Sequence, residues 1–116
     1  MRMTEKRRRI LEALRPPTTE DEWIKRGNPP YCDREVAQVL GGNHHNYGYL
    51  LRHMWRLRLV VPEIKVIEVW REGLKSMQYQ PGFVKRKVTG YWVAETLEED
   101  RATVAERLAS HEGRTE

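Results

Sequence analysis

Residues 33–61, DREVAQVLGGNHHNYGYLLRHMWRLRLVV, constrain what this chain can fold into more than any other stretch. Val36, Ala37 and Leu40 recur at helical spacing, and Gly41-Gly42 interrupts them. Tyr47, Leu51 and Met54 then take the spacing up again, before Leu59-Val60-Val61 changes to a β-type run. The pattern predicts a short helix, a glycine turn, a longer helix and the entry to a strand. Two helices joined so tightly must bury their apolar sides against each other. His44, His45, Asn46, Tyr49, Arg52, His53 and Arg56 are then left as a polar and aromatic face.

The flanking sequence supplies the rest of a small domain. Residues 4–15 read as a first helix, capped by Thr4, with Ile10, Leu11 and Leu14 as its apolar stripe and Pro16-Pro17 as its stop. Its Lys6-Arg7-Arg8-Arg9 run fits either a phosphate backbone or a solvated face. Thr19-Glu20-Asp21-Glu22 before Trp23-Ile24 resembles a capped helical turn, ended by Gly27-Asn28-Pro29-Pro30, with Trp23 covering one side of the core. Asp33 is the expected N-cap of the next helix, and Asn43 that of the long one, which reaches about residue 57.

Beyond it, Pro62 points to a short or edge strand. Ile64, Val66, Ile67 and Val69 favour a strand, although Ile64, Ile67, Leu74 and Met77 also fit a helical stripe. Residues 73–82 are the expected hairpin tip, with Gln80-Pro81-Gly82 as its turn, and residues 83–94 the returning strand. In that strand Tyr91 and Trp92 are expected in the core rather than stacked on bases. A last helix is expected over about 97–110, with Leu97, Val104 and Leu108 on one side, and then a frayed tail.

With 116 residues, 39% hydrophobic and 33% charged, the chain has material for one domain and one modest core. Its net charge of +4 is unevenly spread, with basic residues grouped at 6–9, 52–58 and 85–87 and acidic ones at 20–22 and 95–100. One basic face on a balanced molecule favours an anionic partner. A single cysteine, Cys32, excludes an intrachain disulfide and fits a reducing compartment. No apolar run approaches a membrane span and no signal-peptide core is present, so the expected location is the cytoplasm, away from membranes.

The order helix, helix, helix, β-hairpin, helix resembles winged helix-turn-helix transcription regulators, broadly of the MarR, PadR and ArsR type. The residues that carry the likeness are Ala37, Leu40-Gly41, Asn43, Tyr47, Leu51, Met54 and Leu59-Val60, which match that pattern without a gap. Arg58 departs from it, standing where a glycine is common, as does Tyr47, bulkier than the usual valine. The compact basic style also resembles phage- or plasmid-encoded regulators. The implied fold class is α+β: a winged helix-turn-helix domain over residues 1–95, with a three-helix core and a hairpin wing, then a C-terminal helix and tail over 96–116.

The resemblance implies a sequence-specific double-stranded DNA-binding regulator, such as a repressor, with residues 43–57 in the major groove. His44, His45 and Asn46 are then nearest the bases, followed by Tyr49 and Arg52. Asn46 suits adenine and Arg52 guanine, each pair worth about 1–3 kcal/mol of discrimination. Histidine protonation would tie binding to pH, and Gly48 would leave room for the sugar-phosphate backbone. Arg56 becomes a backbone contact, as do Arg71, Lys75, Lys85, Arg86 and Lys87 of a basic wing over 71–87, on phosphates or in the adjacent minor groove. The apolar side of the last helix suggests a homodimer, and Trp55 faces either a partner subunit or the 18–31 segment.

Two rival readings use the same surface: a protein-interaction module with an acidic partner, and an RNA-binding winged helix. An enzyme is not expected, since no nucleophile motif, acid/base pair or glycine-rich phosphate loop occurs. No cofactor is implied. His44, His45, His53 and Cys32 lack the C-x-x-C or H-x-x-x-H spacing that would suggest a metal.

Overall fold

The computed structural model describes residues 4–71 and 82–112, with the backbone alone at 70, 71, 111 and 112. Within them run α1 (Glu5–Leu14), α2 (Glu20–Arg26), α3 (Asp33–Leu40), α4 (His44–Arg56), β1 (Val60–Arg71), β2 (Gly82–Val93) and α5 (Leu97–Glu112). The class is α+β, five helices with a two-stranded antiparallel sheet. Lys75 lies outside the described residues, as does the expected hairpin tip apart from Gly82, which opens β2.

Helix ends follow local chemistry. Thr4 and Thr19 accept backbone N–H bonds from Arg7 and Glu22, capping α1 and α2. Asn43 Oδ1 accepts from the His45 N–H at 2.9 Å and starts α4. At α3 the expected cap is displaced by one residue. Cys32, in extended conformation, is the N-cap and Asp33 the first helical residue. The reason is Glu35, whose carboxylate reaches back to the Cys32 N–H at 3.0 Å. Gly41 and Gly42 take φ of +80° and +94° and turn the chain between α3 and α4.

Arg58 has a φ of +61°, the only described non-glycine residue in that region. The turn out of α4 needs a left-handed residue, which explains why glycine is the expected occupant. Here an arginine takes the position at some cost in strain.

The strands pair without a slip from Val60↔Val93 to Arg71↔Gly82. β1 is therefore 12 residues long, not short, and the helical alternative for residues 64–71 is excluded. Pro62 fits because of its register. It pairs with Tyr91, whose N–H turns away from β1 to the Tyr31 carbonyl at 2.9 Å. The pair is a non-hydrogen-bonded one, so the missing N–H breaks no rung. Tyr31 thus bridges β2 from its other side. A Cβ at Gly90 would lie 2.7 Å from the Pro30 carbonyl oxygen, so glycine is what lets that segment lie so close.

The base of the hairpin separates two apolar clusters. The main core joins Ile10, Leu14, Val36, Tyr47, Leu51 and Met54 to Val60, Tyr91 and Val93. The opposite face of the sheet carries a smaller cluster, Trp23, Trp92 and Val104, with Val61 and Leu97 against it. Trp23 is buried as expected, but it sits in this second cluster, where composition alone suggests a single core. Leu97 and Val104, two of the three residues behind the expected dimer face, pack inside the molecule, leaving Leu108 47% exposed. Ion pairs fix α5 in place: Arg15 donates to buried Asp100 at 2.9 Å, and Arg107 grips both oxygens of Glu20. Among the described residues no helix is long and apolar enough to cross a membrane.

Candidate functional site

A helix turns by about 100° per residue, so the buried stripe Tyr47, Leu51 and Met54 defines what points away from the core. Opposite it, at successive spacings of four, three and four, stand His45, Tyr49, Arg52 and Arg56, all exposed. Tyr49 is 74% exposed, with the Arg52 guanidinium 5.1 Å from its ring centroid. Arg52 Nε also donates to the Gly48 carbonyl at 3.2 Å, which holds the side chain along the helix.

This geometry reorders the residues expected from sequence. Arg56 belongs to the outward stripe with Arg52. His44 turns to one flank and Asn46, also exposed, to the other. The His44 and His45 rings lie 4.1 Å apart and tilted by 36°. His53 joins Tyr49, Arg52 and Arg56 along a shallow groove on the outer side of α4. Gly48 also lets α3 and α4 pack: a Cβ there would meet the Asp33 carboxylate at 3.1 Å. It lines the groove beside His44 as well. Trp55 is exposed rather than covered by residues 18–31.

On the His44 flank a groove of about 380 Å³ runs between the helices and the hairpin. Asp33, Arg34, His44, His45 and Arg52 line one wall and Arg86, Lys87, Thr89 and Tyr91 the other. The fold therefore brings the expected cations of β2 beside those of α4. Lys85, Arg86 and Lys87 are all exposed. The Arg71 side chain lies outside the described residues. Asp33, Arg34, Thr89 and Tyr91 are additions that the sequence reading does not place in the site. The first two could have been found from their place at the start of the helix packed on α4, the others only from the register. Desolvation pushes the Tyr91 phenol above its usual value, a shift that Arg52 opposes and Asp33 assists. It therefore stays protonated at neutral pH, able to donate.

The hairpin is anchored to this helix pair by a residue with no distinguishing mark in the sequence. Lys65 Nζ donates to the Asn28 and Pro30 carbonyls at 3.1 and 2.7 Å and to Glu35 at 2.8 Å. Glu35 is the carboxylate that caps α3, so one ion pair fixes β1 to the start of α3. Tyr31 lies beneath it, its hydroxyl on the Gly27 carbonyl at 2.8 Å, and burial pushes its phenol up to about 12. Burial also pushes the Cys32 thiol above its usual value, which favours the protonated form. Among the described residues no group of three or more His, Cys, Asp or Glu could hold a metal ion.

No protein-family model, curated protein or solved structure matches this chain.

Proposed function

We propose that this protein is a winged helix-turn-helix regulator that binds double-stranded DNA sequence-specifically. In this reading α4 lies in the major groove and the hairpin tracks the flanking backbone. The observation that carries it is the exposed stripe His45, Tyr49, Arg52 and Arg56, directly opposite the buried face of α4. The major groove admits one such helix and presents base edges that a guanidinium can read in pairs. The groove shared with Arg86 and Lys87 adds cations where the sugar-phosphate backbone would run. Tyr31, extended and bridged to β2 beside the hairpin, supplies a third short strand position, which suits a winged arrangement.

The test is fluorescence anisotropy with a mixed-sequence duplex of roughly 30 base pairs, three helical turns. Binding is expected at low salt and falls steeply as salt rises. On an operator selected from a random duplex library, Arg52→Ala weakens binding by about tenfold or more, the loss of one base-reading pair. An absence of binding at low salt refutes the proposal, and so does an Arg52→Ala variant that binds like the parent. Sites selected from a random duplex library then give the operator.

A further inference from the structure

Tyr49 stands 74% exposed in the outward stripe of α4, between His45 and Arg52. An aromatic ring there adds nothing to the core, which α4 meets on its opposite side through Tyr47, Leu51 and Met54. What the ring does touch is Arg52. The guanidinium lies 5.1 Å from the ring centroid, close enough for cation–π attraction. Arg52 Nε is bound back to the Gly48 carbonyl. The N–H groups of its two terminal nitrogens have no acceptor among the described residues. The side chain is thus held in place before any ligand arrives, with its two-pronged end still unused. Preorganisation of this kind lowers the ordering cost of binding.

We infer that Tyr49 and Arg52 act as one unit that reads a two-base step: Arg52 takes a guanine, and the Tyr49 ring takes the C5-methyl group of the adjoining pyrimidine. The inference rests on the DNA-binding reading above and names the methyl group as what that surface selects. A guanidinium that pairs with guanine O6 and N7 lies level with that base pair. Tyr49 precedes Arg52 by about 4.5 Å along the helix axis, and stacked base pairs follow one another at about 3.4 Å. The ring, 5.1 Å from the guanidinium, therefore comes level with the neighbouring pair. The apolar mark that a base pair carries in the major groove is the thymine methyl group, beside donors and acceptors that ring carbons cannot satisfy. Contact between the bare ring and a methyl group removes apolar surface of both from water. The same chemistry accepts 5-methylcytosine, which carries its methyl group at the same ring position.

The experiment starts from the duplex selected out of the random library. The guanine that Arg52→Ala no longer selects marks the Arg52 pair, and a thymine is expected next to it. That thymine is replaced by deoxyuridine, which removes the methyl group alone, and binding is read by anisotropy. The parent protein binds the uracil duplex about fourfold more weakly, the worth of one buried methyl group. Tyr49→Ala, a change at an exposed position, weakens binding of the thymine duplex and no longer distinguishes the two duplexes. Tyr49→Phe keeps the ring and distinguishes them as the parent does. With a guanine opposite, 5-methylcytosine at that position is bound about fourfold more tightly than cytosine. Selected sites with no thymine beside that guanine overturn the inference, as does equal binding of thymine and uracil duplexes by the parent. So does methyl discrimination that survives Tyr49→Ala or is lost in Tyr49→Phe, or equal binding of the two cytosine duplexes. Each of these leaves the α4 reading standing. Absence of any binding to the mixed-sequence duplex at low salt overturns both.

Discussion

The base and the outer half of the hairpin are parts of the same two strands, rich in β-branched and aromatic residues throughout, yet their surroundings are opposite. At the base, Trp92 faces Trp23 and Val104 while Val60, Tyr91 and Val93 close the main core. Further out, Ile64, Val66 and Phe83 are mostly exposed to solvent. β-Propensity is satisfied equally in both halves. What differs is the presence of helices to pack against. The outer half depends on its ladder and on the Lys65 anchor, and Ile64 and Val66 face outward.

The sharpest test of this contrast is a pair of truncations, followed by urea denaturation. Trp92→Ala is expected to cost about 3–5 kcal/mol, the range for emptying a large aromatic site. Val66→Ala is expected to cost under about 0.5 kcal/mol, as for an exposed position. Comparable losses at the two sites would erase the distinction.

A smaller effect tests what joins the hairpin to the helices. Lys65→Met removes all three donated bonds and leaves Glu35, largely buried, without its cation, a loss of about 2 kcal/mol. The same variant loosens the hairpin relative to α3, so amide exchange should rise along β1 while α1 keeps its protection. Unchanged stability and exchange would mean that the anchor is dispensable.

The smallest effect lies at the entry to β1. Arg58→Gly relieves the left-handed strain and is expected to raise stability by about 1 kcal/mol. A loss of stability would show that the Arg58 side chain makes a contact worth more than the strain.

Much of the helical half of the molecule is legible in the sequence. The glycine turn, the Asn43 cap and the apolar stripe of α4 are local features, fixed by residues within a turn or two of one another. The outward residues of α4 follow from that stripe by helical period. Anything that depends on distant partners is less legible. Glu35 displaces the expected cap at Asp33, because its carboxylate reaches back three residues to the Cys32 N–H. Lys65 reads as one more surface lysine, and only the approach of residues 28–30 gives it its carbonyl acceptors. The apolar side of α5 is visible in sequence, but what it covers is not. Trp23 and Trp92 are far apart in the chain, and only folding brings them together beneath Val104.

The sequence by itself determined the helix–turn–helix order, its main caps and the cationic outer stripe of α4, since these rest on backbone preferences and short-range periodicity. Tertiary structure alone decided that Arg86 and Lys87 would stand beside His44 and Arg52, and that Ile64 and Val66 would stay mostly exposed. Both outcomes depend on the strand register and on the packing of residues far apart in the chain, which no local pattern encodes.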